Sequence, residues 1–214
     1  MNLFPRNGPY AGLFNIDFSF KQGDKIVDIG AGGKPFPVST HIIDKVDNNA
    51  QRHGKDIKVD GREFMNGDVC EILQDIPDDY FDFCYSSHTF EHIENLPKAL
   101  DLISKKCKRG FYALPASDFE FFTVQDHYGH VNICRLFGDT LHIANRPKHT
   151  VADDFGKIHE KITSTNREFN NLYENKYRHI WEARHYWEGE IKYQVHENPA
   201  DIYPQINFFQ GDNQ

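Results

Sequence analysis

The sequence contains no Cys-x-x-Cys pair: Cys70, Cys84, Cys107 and Cys134 stand far apart. Reduced thiols in a cytoplasmic protein are the expected state. No apolar run approaches the length needed to cross a bilayer. Met1 to Arg6 lack the basic-then-apolar order of a signal peptide. Positive charge is in deficit, with 24 Lys and Arg against 32 Asp and Glu and a formal net charge of −8. That balance argues against broad nucleic-acid binding. Internal repeats and low-complexity linkers are also missing. What remains is 214 residues, enough for one α/β domain with a sizeable core or a domain plus a small appendage. Twelve histidines are many, and they gather after residue 87.

The informative stretch runs from Lys25 to Asp44. Ile26, Val27 and Ile29 form a short apolar run of the kind found in strands buried on both faces of a parallel sheet. It stops at Gly30, Ala31, Gly32 and Gly33, where a chain can turn sharply and a ligand can lie against bare backbone. His41, Ile42 and Ile43 then carry Asp44 to the end of a second strand. An acid there accepts hydrogen bonds from ribose hydroxyls in nucleotide-binding α/β folds. Pro35 and Pro37 forbid a regular helix between the two strands, so a short turn or extended loop must replace it.

Phe14, Ile16, Phe18 and Phe20 alternate with polar residues and suggest an extended segment before the first core strand. Residues 63–66 read as a third strand leading to Asp68, and 80–85 as a fourth ending in Ser86, Ser87 and His88. Pro97 opens a helix with Ile93, Leu96, Leu100, Ile103 and Cys107 on one face. Lys105, Lys106, Lys108 and Arg109 suit its negative end, and Gly110 is its expected stop. Residues 111–115 give a fifth strand, 131–145 a hairpin turning at Gly138, and 153–178 a mainly helical stretch. Residues 181–187 and 191–195 suggest a second hairpin around Gly189. The expected architecture is α/β: a Rossmann-like, doubly wound, mostly parallel sheet ending in an antiparallel hairpin, with a C-terminal helix and second β-hairpin. Residues 1–150 are expected to form the core and 151–214 an extension packed on it.

Four motifs, in order, resemble those of class I S-adenosylmethionine (SAM)-dependent methyltransferases. Val27 to Gly32 is similar to their first motif, and Gly67 to Val69 to the adenine-binding acid after their third strand. Phe81 to Ile93 resembles the fourth-strand motif of the small-molecule branch called methyltransferase type 11. The hairpin after the fifth strand also fits, and the resemblance covers residues 25–145. Lys34 stands where the family commonly has a further glycine, and Pro35 and Pro37 curtail the family's first crossover helix. The resemblance implies SAM as cofactor and a small-molecule acceptor. Asp28, Gly30 and Gly32 would shape the methionyl pocket, Asp44 would hold the ribose, and Asp68 and the Val69 backbone the adenine. Ser86, Ser87 and His88 would line the wall beside the sulfonium.

The implied reaction moves a methyl group to an oxygen or nitrogen of a metabolite such as a saccharide, and requires no metal. His130 and His127 are the candidate proton acceptors, because they follow the fifth strand and a neutral imidazole takes up a proton at cellular pH. Asp126 is a candidate to orient one ring. A pair of histidines bonded to backbone around Gly129 is the ordinary alternative. Two rival functions share these residues. His88, Glu91 and His92 spell H-x-x-E-H, an inverted zinc-protease signature that needs a sustained helix and a third ligand. A SAM-binding protein without catalysis is the other.

Overall fold

In a computed structural model of the chain, the described residues are 18–45, 57–124, 129–148 and 152–202. The extended segment expected at Phe14 to Phe20 falls mostly outside them. The chain forms two compact units. Of the described residues, one unit takes in those between 20 and 114 with 184–193, and the other takes in 18–19, those between 115 and 183, and 194–202.

The first unit carries a six-stranded sheet. Its strands are β1 (Ile26–Ile29), β2 (His41–Asp44), β3 (Glu63–Asn66), β4 (Phe83–Ser87), β5 (Arg109–Pro115) and β8 (Glu182–Glu188), in the order β3-β2-β1-β4-β5-β8. The first five run parallel, and β8 is antiparallel to β5. The expected α/β, mostly parallel sheet is therefore present. All four residues of β1 are buried, as a central strand covered on both faces requires. The link from β1 to β2 contains no helix. Phe36, between the two prolines, is fully buried and stacks on Tyr85 with ring centroids 4.2 Å apart.

Helices α1 (Val69–Asp75) and α2 (Leu96–Lys106) belong to this unit. Asn95 caps α2 through Lys98 N, and Leu96, Ala99, Leu100 and Ile103 bury its inner face. The helix ends earlier than expected: Cys107 is its C-cap and Gly110 lies inside β5. A Cβ at Gly110 would lie 2.6 Å from Cys84 O and 2.7 Å from the Trp187 ring. That glycine therefore permits close strand packing instead of stopping a helix. Lys106 pairs with Asp78 and Lys108 with Asp82, which accounts for two of the charges assigned to the helix end.

The second unit holds α3 (Ser117–Thr123), β6 (Asn132–Phe137), β7 (Thr140–Asn145), α4 (Ala152–Thr165), α5 (Arg167–Asn171), a single π turn (Leu172–Lys176) and α6 (Arg178–Trp181). Strands β6 and β7 make the expected antiparallel hairpin around Gly138, whose φ is +60°. The hairpin does not close the main sheet. It joins β9 (Lys192–His196) in a separate three-stranded sheet, β6-β7-β9. The second hairpin also does not form, because β8 and β9 lie in different sheets. Trp187 is buried against Gly110, which ties β8 to β5. His196 stacks on His142 of β7, with Nδ1 of His142 and Nε2 of His196 2.8 Å apart, which ties β9 to β7.

Candidate active site

In an open parallel sheet a ligand crevice forms beyond the C-terminal strand ends, where neighbouring strands send their connections to opposite faces. Here that point lies between β1 and β4, since β1 pairs with β2 on one side and with β4 on the other. Gly30 N donates to Ile43 O (2.8 Å), folding the glycine turn onto β2. Asp44, at the end of β2, accepts from Gly32 N at 2.8 Å. Gly67 N donates to Asp44 O (3.1 Å), which links the end of β3 to the same corner.

The glycines of the turn do different jobs. Gly30 has φ +76°, and a Cβ there would overlap the Thr89 side chain. Thr89 in turn donates to Ile29 O at 3.1 Å. Gly32 has φ +53° with nothing within 4 Å of a Cβ position. Its bare backbone faces open space, which suits a ligand lying against the turn.

Asp28 is buried in β1, and its Oδ2 accepts from Phe36 N at 2.6 Å. Burial pushes its carboxyl up to about 7 against the opposing hydrogen bond from Phe36, with the nearby Asp44 adding to the rise. Asp28 thus braces the loop that replaces the crossover helix. Asp68 is the N-cap of α1, accepting from Cys70 N at 2.8 Å, and Val69 is the first residue of that helix. Ser86 is buried and donates to Ile29 O at 3.1 Å, joining β4 to β1. Ser87 closes β4.

His88 follows with φ +55°, an uncommon conformation for a residue with a side chain. Its N–H donates to Ala113 O (2.8 Å), and its Nδ1 lies 3.5 Å from Glu91 Oε1. Phe90–His92 form one 3₁₀ turn, so His88 and His92 do not share an α-helical face. The helix that the zinc-protease reading requires is missing here.

In the second unit, His130 Nδ1 and Glu120 Oε1 are hydrogen-bonded at 3.1 Å. Glu120 is fully buried and also forms an ion pair with Arg146 Nε at 3.2 Å. A carboxylate accepts, so Nδ1 of the neutral ring carries the proton and Nε2 the lone pair. Glu120 and Thr89 are the site features that sequence reasoning missed. His127 and its expected partner Asp126 lie outside the described residues.

Aromatic residues in the second unit are largely engaged with one another. Trp181 stacks on Tyr173 at 4.8 Å and donates its Nε1–H to Tyr173 O, and Phe119 packs against both rings. Phe121 packs on Ile133, Ala144 and Ile202. Phe122, by contrast, is exposed.

The glycine turn after β1 and the acid that ends β2 meet at the C-terminal edge of the parallel strands, joined by the Gly32–Asp44 hydrogen bond. Residues 37–114, from the glycine turn's far side through β5, match the family model of a methyltransferase domain. That match takes in β2 to β5 and leaves the rest of the chain uncovered. Among similar solved structures is a SAM-dependent methyltransferase from Mesorhizobium loti, 15% identical with a TM-score of 0.41. The alignment covers 60% of this chain and 61% of that one. Another from Archaeoglobus fulgidus is 23% identical with a TM-score of 0.35, covering 45% and 47%. The chain thus spans about half to three-fifths of those proteins' length. No curated protein matches it. No helix among the described residues is long and apolar enough to cross a membrane.

Proposed function

We propose that the protein transfers a methyl group from SAM to an oxygen or nitrogen of a small molecule, a saccharide or another metabolite. The observation that carries this reading is the methyltransferase-domain match over β2 to β5, joined to a glycine turn held by the acid that ends β2. Bound SAM supplies a methyl group already activated on a sulfonium, so the protein's main tasks are alignment and removal of one proton. In this reading the Gly30–Gly32 turn, with Asp28 behind it, receives the methionyl part. Asp44 holds the ribose, Asp68 and the Val69 backbone the adenine, and Ser86, Ser87 and His88 the wall beside the sulfur. His130, oriented by Glu120, takes the acceptor's proton at Nε2, and His127 is the alternative base.

Incubating the protein with methyl-labelled SAM and a panel of sugars, phenols and amines tests the activity. Label should pass to one acceptor class and depend on folded protein. A protein that binds SAM but labels no acceptor in a broad panel would favour the non-catalytic reading.

Asp44→Ala should weaken SAM binding by roughly 1.5–3 kcal/mol, the usual range for a hydrogen bond to a charged group. The loss includes release of Gly32 N from the carboxylate. Asp44→Asn should be milder, since it keeps one acceptor. Calorimetric affinity unchanged in Asp44→Ala would remove this residue from the cofactor site.

A further inference from the structure

Helix α4 of the second unit packs with its small residues inward and its largest apolar residues outward. Gly156 is buried and His159 and Thr163 are half-buried, so these three, at i, i+3 and i+7, form the inner face. His159 meets the Phe119 ring of α3 at 5.6 Å and the Tyr173 ring at 4.8 Å. Phe155, Ile158 and Ile162 repeat the same spacing one residue earlier, about 100° round the helix. They are 59%, 57% and 39% exposed. Phe122 of α3, itself exposed, lies edge-on to Phe155 with ring centroids 6.5 Å apart and widens the strip. Single apolar residues on a surface need no explanation, but a contiguous strip along a helix marks an interaction site.

The charges beside the strip identify the occupant. Asp154 and Lys161 are both exposed and stand two turns apart along one flank of it. Lys157 is turned farther from the strip. The opposite flank carries His159, already engaged with aromatic rings. A parallel pair of such helices would set each charged flank against the other copy's His159 flank. In an antiparallel pair related by a two-fold axis, like flanks meet, so Asp154 of each copy faces Lys161 of the other. The same face then serves on both sides, as a closed two-fold interface requires. That register places Ile158 beside the axis and sets Phe155 of each copy between Ile158 and Ile162 of the other, as a knob in a hole. A lipid surface would instead be matched by a basic border, and this border is mixed in sign.

We propose that two copies of this chain associate through antiparallel α4 helices. Phe122, Phe155, Ile158 and Ile162 make the centre of the interface, and Asp154–Lys161 pairs make its border. The pairing stands apart from the methyl-transfer reading and holds whatever the reaction is.

Sedimentation equilibrium of the full chain across about 1–100 μM, where interfaces of modest area dissociate, is the test. Wild type should pass from monomer to dimer with concentration. Ile158→Glu should weaken association by about 30-fold or more, the effect of losing a central anchor. Its side chain is exposed, so the variant should melt as wild type does. Phe155→Ser is the second probe should Ile158→Glu lose its melting transition. Asp154→Lys and Lys161→Asp should each weaken the dimer by about 3–30-fold at low salt, because either change removes both symmetry-related pairs and brings like charges together. Combining the two exchanges should restore wild-type association, since the pairs re-form with their signs reversed. A wild-type chain that stays monomeric throughout overturns the proposal, as does a folded Ile158→Glu or Phe155→Ser that dimerises like wild type. A double exchange that stays as weak as the single ones overturns the antiparallel pairing. A monomer that binds anionic lipid vesicles would assign the strip to a membrane surface and overturn the dimer.

Discussion

Replacing His130 by Ala should lower turnover by about 10²–10⁴-fold, the usual contribution of a positioned general base, with SAM affinity unchanged. The proposed base is held at one nitrogen by a fully buried carboxylate, Glu120, which is itself clamped by Arg146. That clamp fixes the ring, so His130→Gln should be as inactive as the alanine variant: it keeps polarity but cannot take up the proton. His127→Ala serves as the comparison, since both histidines follow β5 in sequence. Single-turnover measurement with the identified acceptor separates the chemical step from binding. Normal turnover in both His130 variants and in His127→Ala would make the loop structural and leave alignment alone to carry the reaction.

Asp28→Asn should change how stability depends on pH. The folded state raises this carboxyl from an ordinary value of 3.8 to about 7, with burial as the main cause. Its neutral form is therefore the one that folding favours. The associated stability is fully present below the unfolded value near pH 4 and is lost as pH rises towards 7. Each unit of difference is worth about 1.4 kcal/mol, so the whole window amounts to something on the order of 4 kcal/mol. Asparagine has no proton to lose and keeps an oxygen for Phe36 N. Relative to wild type, the variant should gain stability steadily from pH 4 to pH 7 and no further above it. Denaturant melts at intervals across that range would show it. Parallel pH profiles for the two proteins would contradict the burial argument.

The parts of this fold legible in the sequence were those written in local patterns. The apolar Ile26–Ile29 run, its glycine stop and the Asp44 strand end needed only period and composition, and the structure contains each of them. Pro35 and Pro37 correctly marked a crossover without a helix. Helix α1 was missed because seven residues give barely two turns of periodicity. Its N-terminal signal, Asp68 with Glu71 three residues on, was nevertheless present. The failures lie where distant partners decide. Gly189 reads as a hairpin turn, yet the flanking strands choose different sheets because Trp187 packs on Gly110 and His196 on His142. Gly110 resembled a helix stop for the same reason: its role depends on a ring from 77 positions later in the chain.

Site residues divide in a similar way. Asp44 and the turn glycines belong to one motif, and the structure joins them through the Gly32–Asp44 hydrogen bond. Glu120 reaches His130 across ten positions and Arg146 across a hairpin, a grouping with no local sequence signature. Asp68 shows why motif residues need geometry as well: its carboxylate already caps α1 through Cys70 N. Any adenine contact must share that acid with the helix.

SAM is the cofactor proposed for the C-terminal ends of β1 and β4. Calorimetry and thermal melting with SAM, S-adenosylhomocysteine and NAD address that assignment most directly. SAM and its demethylated product should each bind in the micromolar range and raise the melting temperature by mass action, and NAD should do neither. Heat and a melting shift with NAD, and none with the other two, would contradict the account.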